Sequence, residues 1–171
     1  QFESPSVKVP APSRRPDHQK MTDPISLSVT INGTGFAGDY TARTYGLIPH
    51  RNGVDIRLAG VTSGKMENAK RFAESHGVET AYATHAEMLE SVQPTIDNIA
   101  CANAAHGPYT IEAARAGVPV IVLEKPPVVW PGYTEDRTAD AATRKRESMD
   151  YLAEVLDEVA GSGSRLLYAE D

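Results

Sequence analysis

Short apolar runs alternate along this chain with longer stretches in which apolar residues recur at helical spacing. That alternation predicts strands of a parallel sheet joined by covering helices. Ile25 to Ile31 predicts the first strand; a helix starts near Phe36 and fades by Gly46, with Pro49 beyond it. Val54 to Thr62 reads as the second strand. Glu67 to His76 reads as a helix, with Gly77 placed as its C-terminal cap. Tyr82 marks a short third strand. Thr84 and Glu87 stand at capping-box spacing, so a helix is expected from there to about Val92. The fourth strand is expected over Ile96 to Ala102. A helix from Pro108 to Ala116 stops at Gly117. Val118 to Leu123 is almost wholly apolar, as a strand covered on both faces should be. A long helix is expected over roughly Asp140 to Val159, broken by Gly161-Ser162-Gly163-Ser164, and Arg165 to Ala169 reads as a sixth strand. No internal repeat is evident. Six strands with intervening helices predict an α/β fold: a doubly wound parallel sheet of Rossmann type, helices on both faces.

The segment before Ile25 differs in kind. Five of the twelve prolines fall there, at Pro5, Pro10, Pro12, Pro16 and Pro24, together with Arg14, Arg15, His18 and Lys20. It offers little to bury, so residues 1–24 are expected to be a flexible arm, or sequence added ahead of a native start at Met21. A docking or targeting arm is the functional alternative. Residues 25–171 are expected to form one dinucleotide-binding domain, which suits a chain of 171 residues. The net charge of −6 argues against a nucleic-acid surface. No apolar stretch approaches the ~20 residues a membrane helix needs. Cys101 is the single cysteine, so no internal disulfide can form, which fits a reducing, cytoplasmic setting. No metal is expected.

Chemistry concentrates at the predicted strand ends, where sheets of this type bind ligands. The first strand leads into Asn32-Gly33-Thr34-Gly35-Phe36-Ala37-Gly38, a Gly-x-Gly-x-x-Gly loop between strand and helix. In that context the first glycine permits the turn, the second lets backbone approach a pyrophosphate, and the third lets the helix pack closely. The second strand leads into Thr62-Ser63-Gly64-Lys65. An acid in that region would hydrogen-bond the ribose hydroxyls of NAD, and none is present; Asp55 lies at the wrong end of the strand. Thr62 and Ser63 can donate hydrogen bonds and Lys65 can neutralise a phosphate, so NADP is favoured over NAD. Lys65 reads equally as a solvated residue opening a helix. Ala102-Asn103-Ala104-Ala105-His106 follows the fourth strand, and Glu124-Lys125-Pro126-Pro127 follows the fifth. On local sequence alone, His106 reads as structural and Glu124 with Lys125 as an ion pair fixing the turn.

These residues carry a family resemblance. From Ile25 to Asp171 the chain resembles the N-terminal half of the Gfo/Idh/MocA oxidoreductases. The similarity rests on the Gly33-to-Gly38 loop, the Ala69-Lys70-Arg71-Phe72-Ala73 helix, Ile96-Asp97-Asn98-Ile99, Asn103 with His106, and Ala116-Gly117-Val118-Pro119-Val120 leading into Glu124-Lys125-Pro126. The resemblance implies that Gly33, Gly35, Phe36, Ala37 and Gly38 contact the pyrophosphate. It implies that Thr62, Ser63 and Lys65 face the adenosine ribose, and that Ala102, Asn103 and His106 border the nicotinamide ribose. Glu124 and Pro126 would lie on the nicotinamide side, and Lys125 would be the catalytic residue, reaching a substrate hydroxyl or carbonyl. A cis Lys125–Pro126 bond is expected on the same ground.

Relatives of this kind continue into a second, α+β domain that completes the substrate pocket, and this chain ends where that domain should begin. A missing C-terminal domain, or a homo-oligomer that supplies the wall, is therefore expected. The reading is an NAD(P)-dependent oxidoreductase acting on a sugar- or polyol-like substrate, here as its cofactor domain. The alternative is a non-catalytic NAD(P)(H)-binding or scaffolding module. A methyltransferase using S-adenosylmethionine has a similar glycine loop but no role for Glu124-Lys125-Pro126. Val128-Val129-Trp130-Pro131-Gly132-Tyr133 is more apolar than a solvated loop needs; it either packs on its own domain or borders the substrate. Arg144-Lys145-Arg146-Glu147 is expected to be a solvated helix face.

Overall fold

The computed structural model describes residues 25–48, 53–133 and 138–169. The proposed arm, 1–24, lies outside them. Six strands, β1 (Ile25–Asn32), β2 (Val54–Thr62), β3 (Thr80–Tyr82), β4 (Ile96–Ile99), β5 (Val120–Glu124) and β6 (Arg165–Ala169), form one sheet in the order β3-β2-β1-β4-β5-β6. Every pairing is parallel. The crossovers are α1 (Phe36–Leu47), α2 (Met66–His76), α3 (His85–Val92), α4 (His106–Arg115) and α5 (Ala141–Ser162). Helices α1 and α2 cover one face of β1 and β2, while α3 and α4 pack on the other face. The strand order reverses at β1 and β4, and the crevice beyond their carboxyl ends is the place for a ligand. Among the described residues no helix is long and apolar enough to cross a membrane.

Two apolar clusters hold the layers together. Ile31, Val61, Ala69 and Phe72 bury the α1–α2 face, and Ile99, Ile121, Leu123, Ala113 and Val159 bury the face under α4 and α5. A bulge shifts the β1–β2 register: Val29 pairs with Leu58, but Thr30 pairs with Gly60, leaving Ala59 as an extra residue. Side chains alternate between faces along a strand, so Leu58 and Val61 reach the same cluster only because of that insertion. The same shift sets Thr62 opposite Asn32 at the mouth of the crevice.

Helix ends follow the local sequence signals, with shifts at several boundaries. Gly77 (φ 66) and Gly117 (φ 73) take the left-handed conformation that closes α2 and α4. Thr84 caps α3 by accepting from the Glu87 amide at 3.1 Å, as its spacing predicts. β4 ends at Ile99, not Ala102, because the next carbonyl, that of Ala100, passes tightly beneath the Gly33 turn. α4 starts at His106, two residues before Pro108; proline is tolerated in a first turn, where amide donors have no partner in the helix. β5 starts at Val120, not Val118, whose amide is used by Ala113 O in the α4 cap. α5 runs through Gly161 to Ser162, and Gly163 (φ 78) caps it, because one exposed glycine in a last turn costs only about 1 kcal/mol.

Candidate functional site

The glycine loop divides its work among three positions. A Cβ at Gly33 (φ 122) would fall 2.3 Å from the Ala100 carbonyl oxygen, and one at Gly38 would fall 2.1 Å from the Gly33 carbonyl oxygen. Those two glycines are needed by the protein itself. At Gly35 a Cβ meets nothing within 4 Å, although the residue sits at the N-terminus of α1. The space over Gly35 is open, a cradle at the point where helix amides and the helix dipole favour an anion.

Two cavities flank this cradle and meet at Phe36 and Ala37. The first, about 590 Å³, is walled by Asn32, Gly33, Thr34, Gly35, Thr62, Ser63, His85, Cys101, Ala102 and Tyr109, among others. Among the described residues no acid lines it. Thr34 Oγ1 and Ser63 Oγ are 2.9 Å apart, which ties the glycine loop to the end of β2. The second, about 530 Å³, lies on the α1 side of β4 and β5 and is bounded by Tyr40, Tyr45, Asn98, Val122, Glu124 and Lys125. Asn98 is fixed at its floor, donating to Thr30 O at 3.1 Å and accepting from the Tyr45 hydroxyl at 3.3 Å. The glycine loop and Ala102 thus border the first cavity, Glu124 and Lys125 the second, and Phe36 and Ala37 line both.

Other predicted residues stand apart from these cavities. Lys65 is exposed at the N-cap of α2, and Asn103 is exposed in the short turn (Asn103–Ala105) before α4. His106 is fully buried. Its Nδ1 lies 2.6 Å from Pro126 O and its Nε2 3.3 Å from Cys101 O. The shorter contact marks Nδ1–H as the donor, so His106 ties the loop after β4 to the loop that carries Lys125. The Lys125–Pro126 bond is cis, as expected. Burial, with a smaller push from Asp97, raises the Cys101 thiol to about 11, so it stays protonated at neutral pH and is no nucleophile. Trp130 is buried against its own domain: its indole N–H donates to Glu147 of α5, and the Arg144 guanidinium lies 5.6 Å from its ring centroid. Arg144, Lys145 and Arg146 form the solvated face the sequence predicts, but Glu147 is drawn out of it by that indole.

A polar chain that the sequence reading did not anticipate lies beneath the first cavity. Thr30 Oγ1 donates to Asp97 Oδ1 at 2.7 Å, Asp97 Oδ2 meets His85 Nε2 at 2.9 Å, and His85 Nδ1 meets Glu112 Oε2 at 2.5 Å. Asp97 and His85 are buried, and Glu112 is the wet end. Burial works to lower the His85 pKa, but the two carboxylates outweigh it and the pKa is raised. Protonated His85 therefore stabilises the folded state fully below its unfolded value of about 6.5. That contribution disappears as pH rises through the higher folded value. Thermal melts are expected to show Tm falling over this window in the wild type, with the slope flattened in His85→Gln.

The crevice fits a dinucleotide: two halves of suitable size, a cradle left open by glycine, and a helix N-terminus between them. That combination defines a nucleotide-binding Rossmann domain. Residues 27–150 match the model of the GFO_IDH_MocA oxidoreductase family, NAD-binding Rossmann fold, and the chain belongs to that family. No curated protein sequence matches the chain. Among solved structures it is similar to levoglucosan dehydrogenase in complex with NADH and levoglucosan (TM-score 0.67, 20% identity, 84% of this chain and 35% of that one). It is also similar to an oxidoreductase from Agrobacterium radiobacter in complex with NAD+, L-tartaric acid and magnesium (TM-score 0.65, 17% identity, 84% and 35%). Biliverdin reductase from Synechocystis, in complex with biliverdin and NADP+, aligns with a TM-score of 0.62 at 18% identity, over 83% of this chain and 37% of that one. The chain spans about a third of the length of these proteins, and at such identities the likeness is one of fold.

Proposed function

We propose that residues 25–171 hold the nicotinamide dinucleotide of an oxidoreductase acting on a sugar- or polyol-like substrate, with NADP preferred to NAD. The pair of adjoining cavities, with open space over Gly35 in one and Lys125 on the rim of the other, is the observation that carries this reading. Bound nicotinamide would supply the hydride chemistry. Gly35, Phe36 and Ala37 would hold the pyrophosphate at the start of α1, and Thr62 and Ser63 would meet the adenosine ribose. Lys125 Nζ would polarise a substrate carbonyl or take the proton of a substrate hydroxyl. Glu124 would border the nicotinamide side, and His106 would fix the Pro126 carbonyl, and with it the path of this loop. The levoglucosan and tartaric acid bound by the similar proteins support a polyhydroxylated substrate.

The preference for NADP rests on charge. No acid walls the adenosine half, and Asp55, paired with Ser26, is at the far end of β2. An adjoining groove of about 650 Å³ shares Thr34 with the crevice and is lined by Arg43, Arg71 and His76, with Asp39 as its acid. Asp39 is already held by Arg43 at 2.7 Å and by His76 at 3.0 Å, which lessens its repulsion of a 2′-phosphate. Titration of NADPH and NADH by nicotinamide fluorescence, followed by turnover with a polyol panel, tests the proposal. NADPH is expected to bind the tighter of the two. Tighter NADH would overturn the preference, and binding without turnover would favour a non-catalytic module.

A further inference from the structure

Asn32 is the last residue of β1 and is 3% exposed. Its Oδ1 accepts from Thr62 Oγ1 at 2.8 Å. Its Nδ2 is the one buried side-chain nitrogen or oxygen without a hydrogen-bond partner among the described residues. Turning the amide over does not change the problem, because Thr62 then meets the nitrogen and the oxygen is left over. A buried amide N–H with nothing to bond is unfavourable. Thr30, the preceding buried polar side chain on this strand, has its hydroxyl bonded to Asp97. Asn32 is the buried residue of β1 that walls the adenosine half of the crevice, and its amide is left short of a partner.

The bulge in β2 is what brings the pair together. Without the extra residue Ala59, Asn32 would stand opposite Val61 and the amide would have no hydroxyl to orient it. As built, Thr62 holds one end of the amide and leaves the other beside the glycine turn. We propose that Asn32 is a positioning residue for the adenosine half of the cofactor, its unpaired amide group being satisfied by the adenosine ribose when the dinucleotide binds. The inference rests on the dinucleotide reading above. It makes Asn32 a residue whose weakness in the free protein is recovered on binding, which a residue of strand packing alone would not show.

Asn32→Val and Asn32→Ser separate these roles. The valine variant removes the buried amide and with it the acceptor of the Thr62 hydroxyl, so its melting temperature is measured beside binding to establish that it folds. It should bind NADPH, NADH and ADP-ribose about tenfold more weakly, the loss of one hydrogen bond. Nicotinamide mononucleotide, which lacks the adenosine, should show no change. The serine variant keeps a short hydroxyl beside Thr62 but lacks the reach of the amide, and should show the same tenfold loss; it decides the matter if the valine variant does not fold. Affinities for ADP-ribose equal to wild type in either folded variant would overturn the inference and leave the dinucleotide reading intact. A wild-type protein that binds none of the three adenosine ligands would sink that reading, and this inference with it.

Discussion

Gly35→Val is expected to fold as the wild type does and to lose dinucleotide binding. A Cβ at Gly35 meets no protein atom within 4 Å, and its backbone (φ −83) is open to any residue, so the substitution places no strain on the free protein. The added isopropyl group would stand in the cradle at the start of α1, where the pyrophosphate is proposed to lie. Overlap of that kind costs about 2–3 kcal/mol, or roughly 30–150-fold in affinity. Calorimetric or fluorescence titration with NADPH measures it. Gly33→Ala is the control with the opposite signature: its Cβ would collide with the Ala100 carbonyl, and its φ of 122 disfavours any side chain, so its melting temperature should drop. An unchanged affinity in Gly35→Val would remove the glycine loop from the binding site.

The difference between those two glycines marks the boundary of what the sequence could say. The loop and the six strands are legible because each depends on local signals: apolar runs, caps, and glycines at fixed offsets. The side chains that touch across the sheet are another matter. His85, Asp97 and Glu112 lie on three separate elements, and each reads alone as an ordinary polar residue. Asn32 and Thr62 meet because Ala59 is an extra residue, and a bulge leaves no mark in an apolar run. Asn103 and His106 lie three positions apart in one short segment, yet the turn that starts α4 exposes the first and buries the second beneath Pro126. The strand ends could be named in advance, but which way each side chain leaves them depended on register and on where each helix begins.

Lys125→Ala is expected to separate chemistry from binding. Lys125 is exposed on the rim of the second cavity, beyond the end of β5, while the Gly35 cradle lies across the Phe36–Ala37 junction. The loop that presents it is held by His106 on Pro126 O and by Trp130 on α5. Truncation should therefore leave the fold, and the affinity for NADPH, within about twofold of wild type, as for a surface change near ±0.5 kcal/mol. Turnover of a polyol is expected to fall by about 10²–10⁴-fold, the range for loss of a general acid or base. A group that only oriented the substrate by charge would be replaced in part by arginine; one that exchanges a proton would not, because arginine does not titrate near neutrality. Lys125→Arg with a recovered rate would thus reduce Lys125 to an electrostatic anchor. Lys125→Ala with an undiminished rate would move the catalytic proton elsewhere along the crevice.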